Sequence, residues 1–400
     1  MTRAIVAINA GSSSIKFGLF TLGADGPQHA AGGKIEGIGT APHLVARDEA
    51  GTLLVERRWP DGAALSHEAL LAELVDWART HLDGREIVAV GHRVVHGGAD
   101  QAEPALVTPA LLESLDALCP LAPLHQPHNL AAIHALATIV PGVPQVACFD
   151  TGFHQARPPL ASWLALPRRF HDAGIRRYGF HGLSYAYLAR RLREIDPVLA
   201  RGRVLVAHLG NGASLCAMRD GISVDTSMGF TALDGLMMGT RAGAIDPGVV
   251  LHLIQQMGMD ADTVSQLLYN QSGLLGVSAV SSDMRALHAS DDPRAAEAVA
   301  LFVWRVVREA GALIALMGGI DAIVFSAGIG ENDPLVRAAV CEGLAWLGIA
   351  VDAQANDANA LRISAEGSKV AALVVPTDEE RMIAIGTVGV LAALERGTAQ

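Results

Sequence analysis

Two stretches decide the fold: IVAINAGSSSIKFGLF at residues 5–20 and VLVAHLGNGASLCAM at residues 204–218. Each begins with a short apolar run, which is typical of a strand buried on both faces. Each then passes through a turn rich in small polar residues into a second apolar segment. Because this strand–turn–strand pattern occurs twice, the sequence predicts a duplicated protein.

Strands and helices alternate through the rest of the chain. The sequence predicts strands over 86–90, 145–149, 322–325 and 370–375, and helices over 66–82, 294–317, from Pro334 onward, and up to about 396. Polar residues follow two of these strands, Gly91-His92-Arg93 after the first and Asp150-Thr151 after the second. Ligand groups usually lie at the carboxyl ends of strands in open α/β sheets. The alternation indicates an α/β protein in two similar halves.

Composition excludes several classes of function. The 30 Lys and Arg residues against 41 Asp and Glu give a net charge of −11, which argues against a general nucleic-acid binder. Half of the residues are hydrophobic and 18% are charged, enough to bury a large core. The most apolar long stretch, 298–317, contains Arg305, Arg308 and Glu309, so we expect a buried helix and no membrane span.

Cysteine use and the start of the chain both indicate the cytoplasm. Cys119, Cys148, Cys216 and Cys341 are far apart and form no CxxC, so neither a disulfide scaffold nor a zinc ribbon is expected. The first residues lead directly into an apolar strand without the pattern of a secretory signal.

Three glycine-rich segments, 9–14, 208–214 and 326–332, are candidates for phosphate binding, because glycine lets backbone N–H groups approach an anion closely. None is a Walker A loop, and no GxGxxG follows a strand. Each segment taken alone also fits a plain hairpin turn.

A phosphate site in so acidic a chain needs local cations. The candidates are Lys16, Arg93, Arg241 and Arg285; the two arginines at 93 and 241 have apolar and glycine neighbours, which favours bidentate binding of a carboxylate or phosphate. A solvated surface role is the alternative for each.

Acidic candidates for Mg²⁺ are Asp150, Asp283, Asp378, Glu379 and Glu380, and a magnesium–nucleotide site needs only one or two of them. The pair Glu379-Glu380 also fits simple stabilisation of a helix N-terminus. His181, enclosed by glycines and aromatic residues, is the histidine with the strongest case for function.

Taken in order along the chain, the motifs resemble the acetate kinase family. They are residues 9–16, 91–98, 123–125, 149–151, 178–182, 208–214, 225–231, 282–285, 327–332 and 377–380. The resemblance implies a duplicated actin-like (ribonuclease H-like) fold with two domains, 1–151 plus 382–400 and 152–381, and an interdomain cleft for ATP. It also implies a cytoplasmic homodimer that reversibly transfers phosphate from ATP to acetate, giving acetyl phosphate and ADP, with Mg²⁺ or Mn²⁺.

The resemblance also implies roles for single residues. Arg93, Asp150, His181 and Arg241 would be catalytic, and Asn9 and Glu379 would hold the metal ion. The nucleotide would contact Ser12, Ser14, Lys16, His208, Leu209, Gly210, Asn211, Gly212, Asp283, Met284, Arg285, Gly328, Ile329, Gly330, Glu331 and Asn332. The substrate would contact Arg93, Val95, Leu124, Phe180 and Ala232.

Two positions depart from the family pattern. Ala232 stands where the family usually has a proline lining the pocket for the acetate methyl group, and Tyr185 stands where it usually has a histidine. The smaller Ala232 suggests that propionate is used unusually well. The alternatives are a kinase for propionate or longer carboxylates, one with pyrophosphate as donor, and a nucleotide-binding regulator; retention of Arg93, Asp150, His181 and Arg241 together argues against the regulator.

Overall fold

The computed structural model describes residues 3–11, 14–24, 26–80, 86–123 and 125–397. Its strands are β1 Arg3–Ala10, β2 Ser14–Gly23, β3 Gly26–Glu36, β4 His43–Asp48, β5 Leu53–Arg58, β6 Glu86–Val94, β7 Ala105–Leu106, β8 Gln145–Phe149, β9 Arg203–Leu209, β10 Ala213–Arg219, β11 Ile222–Thr226, β12 Ala322–Ser326 and β13 Ala371–Val374. In the described ranges, no helix is both long and apolar enough to span a membrane.

The helices, in chain order, are α1 His67–Thr80, α2 Pro109–Asp116, α3 Gln126–Ile139, α4 Arg168–Asp172, α5 Gly182–Ile195, α6 Pro197–Ala200, α7 Pro247–Gln255, α8 Ala261–Asn270, α9 Gly273–Ser278, α10 Met284–His288, α11 Pro293–Met317, α12 Ala327–Asn332, α13 Pro334–Gly343, α14 Ala353–Asp357 and α15 Glu379–Glu395. The longest of them, α11, shows how local sequence sets the ends. The Asp292 side chain accepts a hydrogen bond from the Arg294 amide, Pro293 fills the first helical position, and Gly318 follows with φ 72°.

The chain forms two compact units, each with one sheet. The first unit comprises Met1–Gln155, Gly182–Tyr187 and Asp378–Gln400, and the second comprises Ala156–His181 and Leu188–Thr377. The sheet of the first unit has the strand order β5-β4-β3-β2-β1-β6-β8-β7, and that of the second has the order β11-β10-β9-β12-β13.

The two sheets share one topology, which confirms the predicted duplication. In the first unit β3, β2 and β1 are antiparallel neighbours, after which β6 and β8 add parallel strands. In the second unit β11, β10 and β9 are antiparallel, and β12 and β13 add parallel strands. The repeated hairpins of the sequence are β1–β2 and β9–β10.

Helices cover both faces of the first sheet. On one face, Val6 and Ile8 of β1 belong to a core that contains Leu70 and Leu74 of α1 and Leu136 of α3. On the other face, Ala7 packs in a cluster with Ile383 and Ala384 of α15. This double burial explains why β1 is an almost continuous apolar run.

Two boundary predictions were wrong. The strand predicted over 86–90 continues to Val94, so Gly91, His92 and Arg93 lie inside β6 and do not follow it. The predicted loop at 326–332 is largely the short helix α12. In both places, polar or glycine-rich residues suggested that the regular structure ends. Side-chain hydrogen bonds stabilise it instead, from Arg93 to Asp150 in the first case and from the Ala327 amide to Glu331 in the second.

Replacing Gly91 by alanine should destabilise the protein. A Cβ at this position would lie 2.2 Å from Thr387 Oγ1 and 2.6 Å from Ile383 Cγ2 of α15, so strand and helix would have to separate. Overpacking of this kind costs about 1–3 kcal/mol. We expect the urea midpoint to fall at unchanged m-value. Gly389→Ala is the matched control, because nothing lies within 4 Å of the new Cβ at that position. Equal urea midpoints for Gly91→Ala and Gly389→Ala would contradict the packing argument.

Candidate functional site

The first unit contains an ion pair whose carboxylate is buried. Arg93 on β6 donates to Asp150 Oδ2 from Nε at 3.0 Å and from Nη2 at 2.6 Å, just past the end of β8. The Asp150 side chain is 1% exposed and that of Arg93 is 21% exposed. The parallel pairing of β6 with β8 brings the two side chains together, since Arg93 is opposite Cys148 in the ladder.

Charges around this pair keep Arg93 cationic. Burial alone lowers the pKa of Arg93, but the charges of Asp150 and Glu379 raise it more, so the net shift is upward. Burial raises the pKa of Asp150, and the Arg93 guanidinium opposes that rise. Burial and the neighbouring Glu379 raise the pKa of Glu380.

Asn9 connects the ion pair to α15. Its Oδ1 accepts from Arg93 Nη1 at 3.1 Å, and its Nδ2 donates to Glu379 Oε2 at 3.0 Å and to Glu380 Oε1 at 3.4 Å. Asn9 therefore lies between a cation and two carboxylates. Because β1 and β2 place Lys16 directly opposite Asn9, the exposed Lys16 lies beside this cluster.

Carboxylate and amide oxygens of this cluster are of the type that binds Mg²⁺ in proteins. Within the described ranges, no group of three or more His, Cys, Asp or Glu side chains is arranged to hold a metal ion by itself. However, Mg²⁺ bound to a nucleotide needs only one or two protein carboxylates and keeps several waters. Asp150 Oδ1 is fully buried, and the Leu183 backbone also contributes a hydrogen bond to this carboxylate.

Histidine and arginine side chains converge in the second unit. His181 Nδ1 lies 2.8 Å from Ser214 Oγ, and its ring stacks on that of His208 with centroids 4.2 Å apart. A Cβ placed on Gly212 would lie 3.5 Å from His181 Nε2 and 3.9 Å from Arg241 Nη1. The β9–β10 turn therefore presents glycine backbone where a histidine and an arginine side chain meet.

The conformation of His181 and the hydrogen bonding of Arg241 set the positions of these two side chains. His181 adopts a left-handed conformation with φ 60°, an uncommon choice for a residue other than glycine. Arg241 donates from Nη1 to the Ala232 carbonyl at 3.1 Å, so the backbone of the residue that departs from the family pattern supports the guanidinium. Phe180 is 1% exposed.

A cavity of about 920 Å³ lies in the second unit. It is lined by Gly210, Asn211, Ser282, Asp283, Met284, Arg285, His288, Ala289, Gly328, Ile329, Asn332, Asp333, Pro334 and Leu335. Its volume lies in the range of sites for small molecules and cofactors. The structure thus brings together residues of three distant segments that the sequence suggested for nucleotide binding.

Gly330 and Glu331, also suggested for the nucleotide, do not line this cavity. Glu331 Oε1 accepts from the Ala327 amide at 2.8 Å and from the Thr377 amide at 3.2 Å. Ala327 has φ 64°, so the side chain of Glu331 holds a strained start of α12.

The remaining predicted residues fall in three groups. Ser14 lies at the first residue of β2, and Val95 lies just after β6. Ser12 and Leu124 lie outside the described residues. Leu209 is fully buried and His208 is 7% exposed at the end of β9.

Glu380, which the sequence offered as one of the acidic candidates for Mg²⁺, contacts Asn9. Two further residues at these clusters had no individual role in the sequence analysis: Ser214 contacts His181, and Asn129 joins two strand ends near Arg93. A serine in the second glycine-rich segment was a weak signal for Ser214. Asn129, on a helix far along the chain, gave none.

Comparisons with known proteins agree with the fold and with the motifs. The profile described as the Acetokinase family matches residues 4–385. An acetate kinase of Methylocella silvestris is 51% identical over 398 residues, 98% of each chain. The crystal structure of Porphyromonas gingivalis acetate kinase has a TM-score of 0.85 and 37% identity, covering 97% of this chain and 100% of that one. A propionate kinase from Francisella tularensis has a TM-score of 0.87 and 36% identity, covering 96% and 98%.

The similarity to these structures places the chain in the class of carboxylate kinases with a duplicated actin-like α/β fold. The fold expected from the sequence is thereby confirmed. The chain belongs to the acetokinase family, as its motifs suggested.

Removing the Arg93 side chain should cost more stability at neutral pH than at acid pH. In Arg93→Ala the carboxylate of Asp150 stays buried without its cation, so its pKa, which burial already raises in the wild type, rises further above the unfolded value of 3.8. Stability is then lost as pH rises from 3.8 through the folded pKa. We expect the free energy of unfolding of Arg93→Ala to be lower than that of the wild type by about 3 kcal/mol at pH 7.5, and by less at pH 4.5. The value is at the lower end for broken buried pairs because Arg93 is partly exposed.

Urea unfolding at the two pH values measures this difference. Arg362→Ala, which removes an exposed ion pair with Asp196, is the control and should show little deficit at either pH. An equal deficit for Arg93→Ala at both pH values would contradict the assigned role of Asp150.

Proposed function

We propose that this protein is an acetate kinase that reversibly transfers the terminal phosphate of ATP to acetate. The observation that carries the proposal is the Arg93–Asp150–Asn9–Glu379 arrangement, in a chain 51% identical to a protein named acetate kinase. We also propose the domain division 1–151 plus 382–400 and 152–381, a cytoplasmic location and a homodimer, all of which rest on the family resemblance.

The reaction requires cations at the site but no general base. A carboxylate with an ordinary pKa near 4 is ionised at pH 7, so its attack on phosphorus requires no proton removal. The obstacle is repulsion between an anionic nucleophile and an anionic phosphate, which positioning and charge neutralisation reduce. Arg93, whose pKa is raised, remains charged throughout the working pH range.

Asp150 acts as an orienting residue in this proposal. It accepts two hydrogen bonds from one side of the Arg93 guanidinium, while Asn9 accepts from the other nitrogen, Nη1. This arrangement fixes the plane of the guanidinium. A fixed planar donor set can bind the substrate carboxylate and the phosphoryl oxygens without reorganising during transfer.

Asn9 and Glu379 would hold Mg²⁺, with one or two protein oxygens sufficing for an ion that is also bound to the nucleotide. When bound, the ion supplies positive charge that offsets the charge of the β- and γ-phosphates. The protein must keep Asn9 and the carboxylate oxygens at fixed positions. Glu379 is held in place because it lies in the first turn of α15.

His181 and Arg241 would act on the transferring group from the second unit. If Ser214 donates to Nδ1, the proton of the His181 ring resides on Nε2, which can donate to a phosphoryl oxygen. The cavity lined by Asp283, Arg285 and Gly328 would hold the nucleotide. The roles of Lys16 and Ser14 in phosphate binding rest on the family resemblance alone. ATP is preferred to pyrophosphate as donor because that cavity is far larger than a diphosphate requires.

Propionate is the second candidate substrate. Ala232 stands where the family resemblance leads one to expect a proline at the pocket for the methyl group. The resemblance assigns Val95, Leu124 and Phe180 to the same pocket. One structural relative is a propionate kinase. An added CH₂ buried at this position would contribute about 0.8 kcal/mol. This is a modest preference, of the size that apolar pockets usually give.

The activity is tested by acyl hydroxamate formation from acetate, ATP, Mg²⁺ and hydroxylamine. We expect the wild-type chain to form acetyl hydroxamate, and Arg93→Ala and Arg241→Ala each to lose at least about a hundredfold in kcat, as when an oxyanion donor is removed. Arg362→Ala should keep full activity. Absence of product with the wild type, or near-normal turnover in either arginine variant, would contradict the proposal.

Substrate choice is tested by comparing acetate, propionate and butyrate with ATP and with pyrophosphate as donors. We expect a propionate to acetate ratio of kcat/KM above one tenth in the wild type. Ala232→Pro should lower that ratio about fourfold, the equivalent of about 0.8 kcal/mol, and Ala232→Val should lower it in the same direction. A wild-type ratio far below one tenth would remove the role assigned to Ala232.

A further inference from the structure

The backbone pairing between β1 and β6 stops just before the residues of the proposed site. The last paired residues of the two parallel strands are Ile8 and His92. The next residue on each strand is Asn9 or Arg93, and their side chains are hydrogen-bonded at 3.1 Å. Their spacing is therefore set beyond the end of the ladder.

The side chain of Asn129 joins the two strands just past this point. Its Oδ1 accepts from the Val95 amide at 3.0 Å, and its Nδ2 donates to the Ala10 carbonyl at 2.6 Å. Ala10 follows Asn9 on β1, and Val95 lies two residues after Arg93. Asn129 lies on α3 and is only 2% exposed. Its side chain is therefore a buried bridge between the two strand ends.

We propose that Asn129 is a positioning residue for phosphoryl transfer, because it fixes the separation of the strand ends that carry Asn9 and Arg93. This inference rests on the proposed function of the site. The last ladder pair lies on one side of Asn9 and Arg93, and the Asn129 bridge lies on the other. The bridge thereby holds the Arg93 guanidinium in register with Asp150 and Asn9.

Only an amide of this length satisfies both strand ends. The bridge needs one acceptor for an N–H group and one donor for a carbonyl, and the asparagine side chain supplies both without a charge. Aspartate offers acceptors alone at neutral pH and would face the Ala10 carbonyl with a buried negative charge. Leucine, of similar shape, leaves both backbone groups without partners.

The same helix supplies a matched control. Gln126, one turn earlier on α3 and fully buried, accepts from the His96 amide at 3.0 Å and donates to the His96 carbonyl at 2.9 Å. It makes a similar pair of hydrogen bonds to the backbone of His96, beyond β6, and also donates to the Leu115 carbonyl at 3.4 Å, but its hydrogen bonds reach no residue of β1. Gln126→Met therefore tests a loss of buried amide contacts without loss of the bridge.

The experiment compares Asn129→Leu, Asn129→Asp and Gln126→Met in the hydroxamate assay, with urea midpoints for all. Small misplacements of reacting groups reduce rates about a hundredfold. We expect both Asn129 variants to lose about 10- to 100-fold in kcat, with KM for ATP within about threefold of the wild type, and Gln126→Met to stay within about threefold in both. Asn129→Ser, smaller and still polar, replaces Asn129→Leu if that variant does not fold, and should lose kcat equally.

A double variant separates positioning from general stability. Because Asn129 acts through Asn9 and Arg93, adding Asn129→Leu to Asn9→Ala should reduce kcat much less than it does in the wild type. Any of three results would overturn the inference. The first is that the losses in kcat caused by Asn129→Leu and Asn9→Ala multiply fully in the double variant. The others are a kcat of Asn129→Leu within threefold of the wild type, and a loss in Gln126→Met equal to that in Asn129→Leu. If the wild-type chain forms no acyl hydroxamate, the proposed function itself fails and the inference fails with it.

Discussion

The ion pair between Arg93 and Asp150 is the interaction on which the first unit depends. An isolated carboxylate that is 1% exposed would be strongly destabilising, and the two hydrogen bonds from one guanidinium offset that cost. The strands must therefore deliver an arginine and an aspartate to adjoining positions, which the parallel pairing of β6 and β8 does. The partial exposure of Arg93 leaves it able to meet an anion from solvent.

Duplication places different chemistry at equivalent points of the two sheets. In the first hairpin the end of β1 pairs Asn9 with Lys16 on β2. In the second hairpin the end of β9 pairs His208 with Ser214 on β10. The same topology thus supports a cluster of charged and amide side chains in one unit, and a histidine cluster beside a large cavity in the other. Fold sets the positions, and the residues at those positions set the chemistry.

The sequence predicted the central strands of both sheets and four of the helices, because the apolar patterns of these elements are local. The strand at 145–149 and the helix at 294–317 match β8 and α11 almost residue for residue. The end of β6 could not be predicted, because Arg93 is stabilised within the strand by Asp150, 57 residues away. Strands β3 to β5 were not predicted, since their burial pattern is weaker than that of β1.

Dense local motifs of glycine, arginine and histidine supplied the members of the proposed site, whereas a distant side chain that braces the backbone left no such motif. Asn129 is 119 residues from its partner Ala10, so no local spacing connects the two. Glu331 illustrates the opposite case, because a residue in a dense motif supports the turn at Ala327 and does not line the cavity. Motifs locate a site, and tertiary contacts decide the role of each member.

A double-mutant cycle on kcat/KM for acetate, combining Arg93→Ala with Asp150→Ala, tests the central claim most directly. If Asp150 acts by orienting Arg93, the double variant should be about as impaired as Arg93→Ala alone, because Asp150 has nothing left to orient. If the two losses multiply, Asp150 acts independently of Arg93, and the account of the site as one oriented guanidinium is wrong.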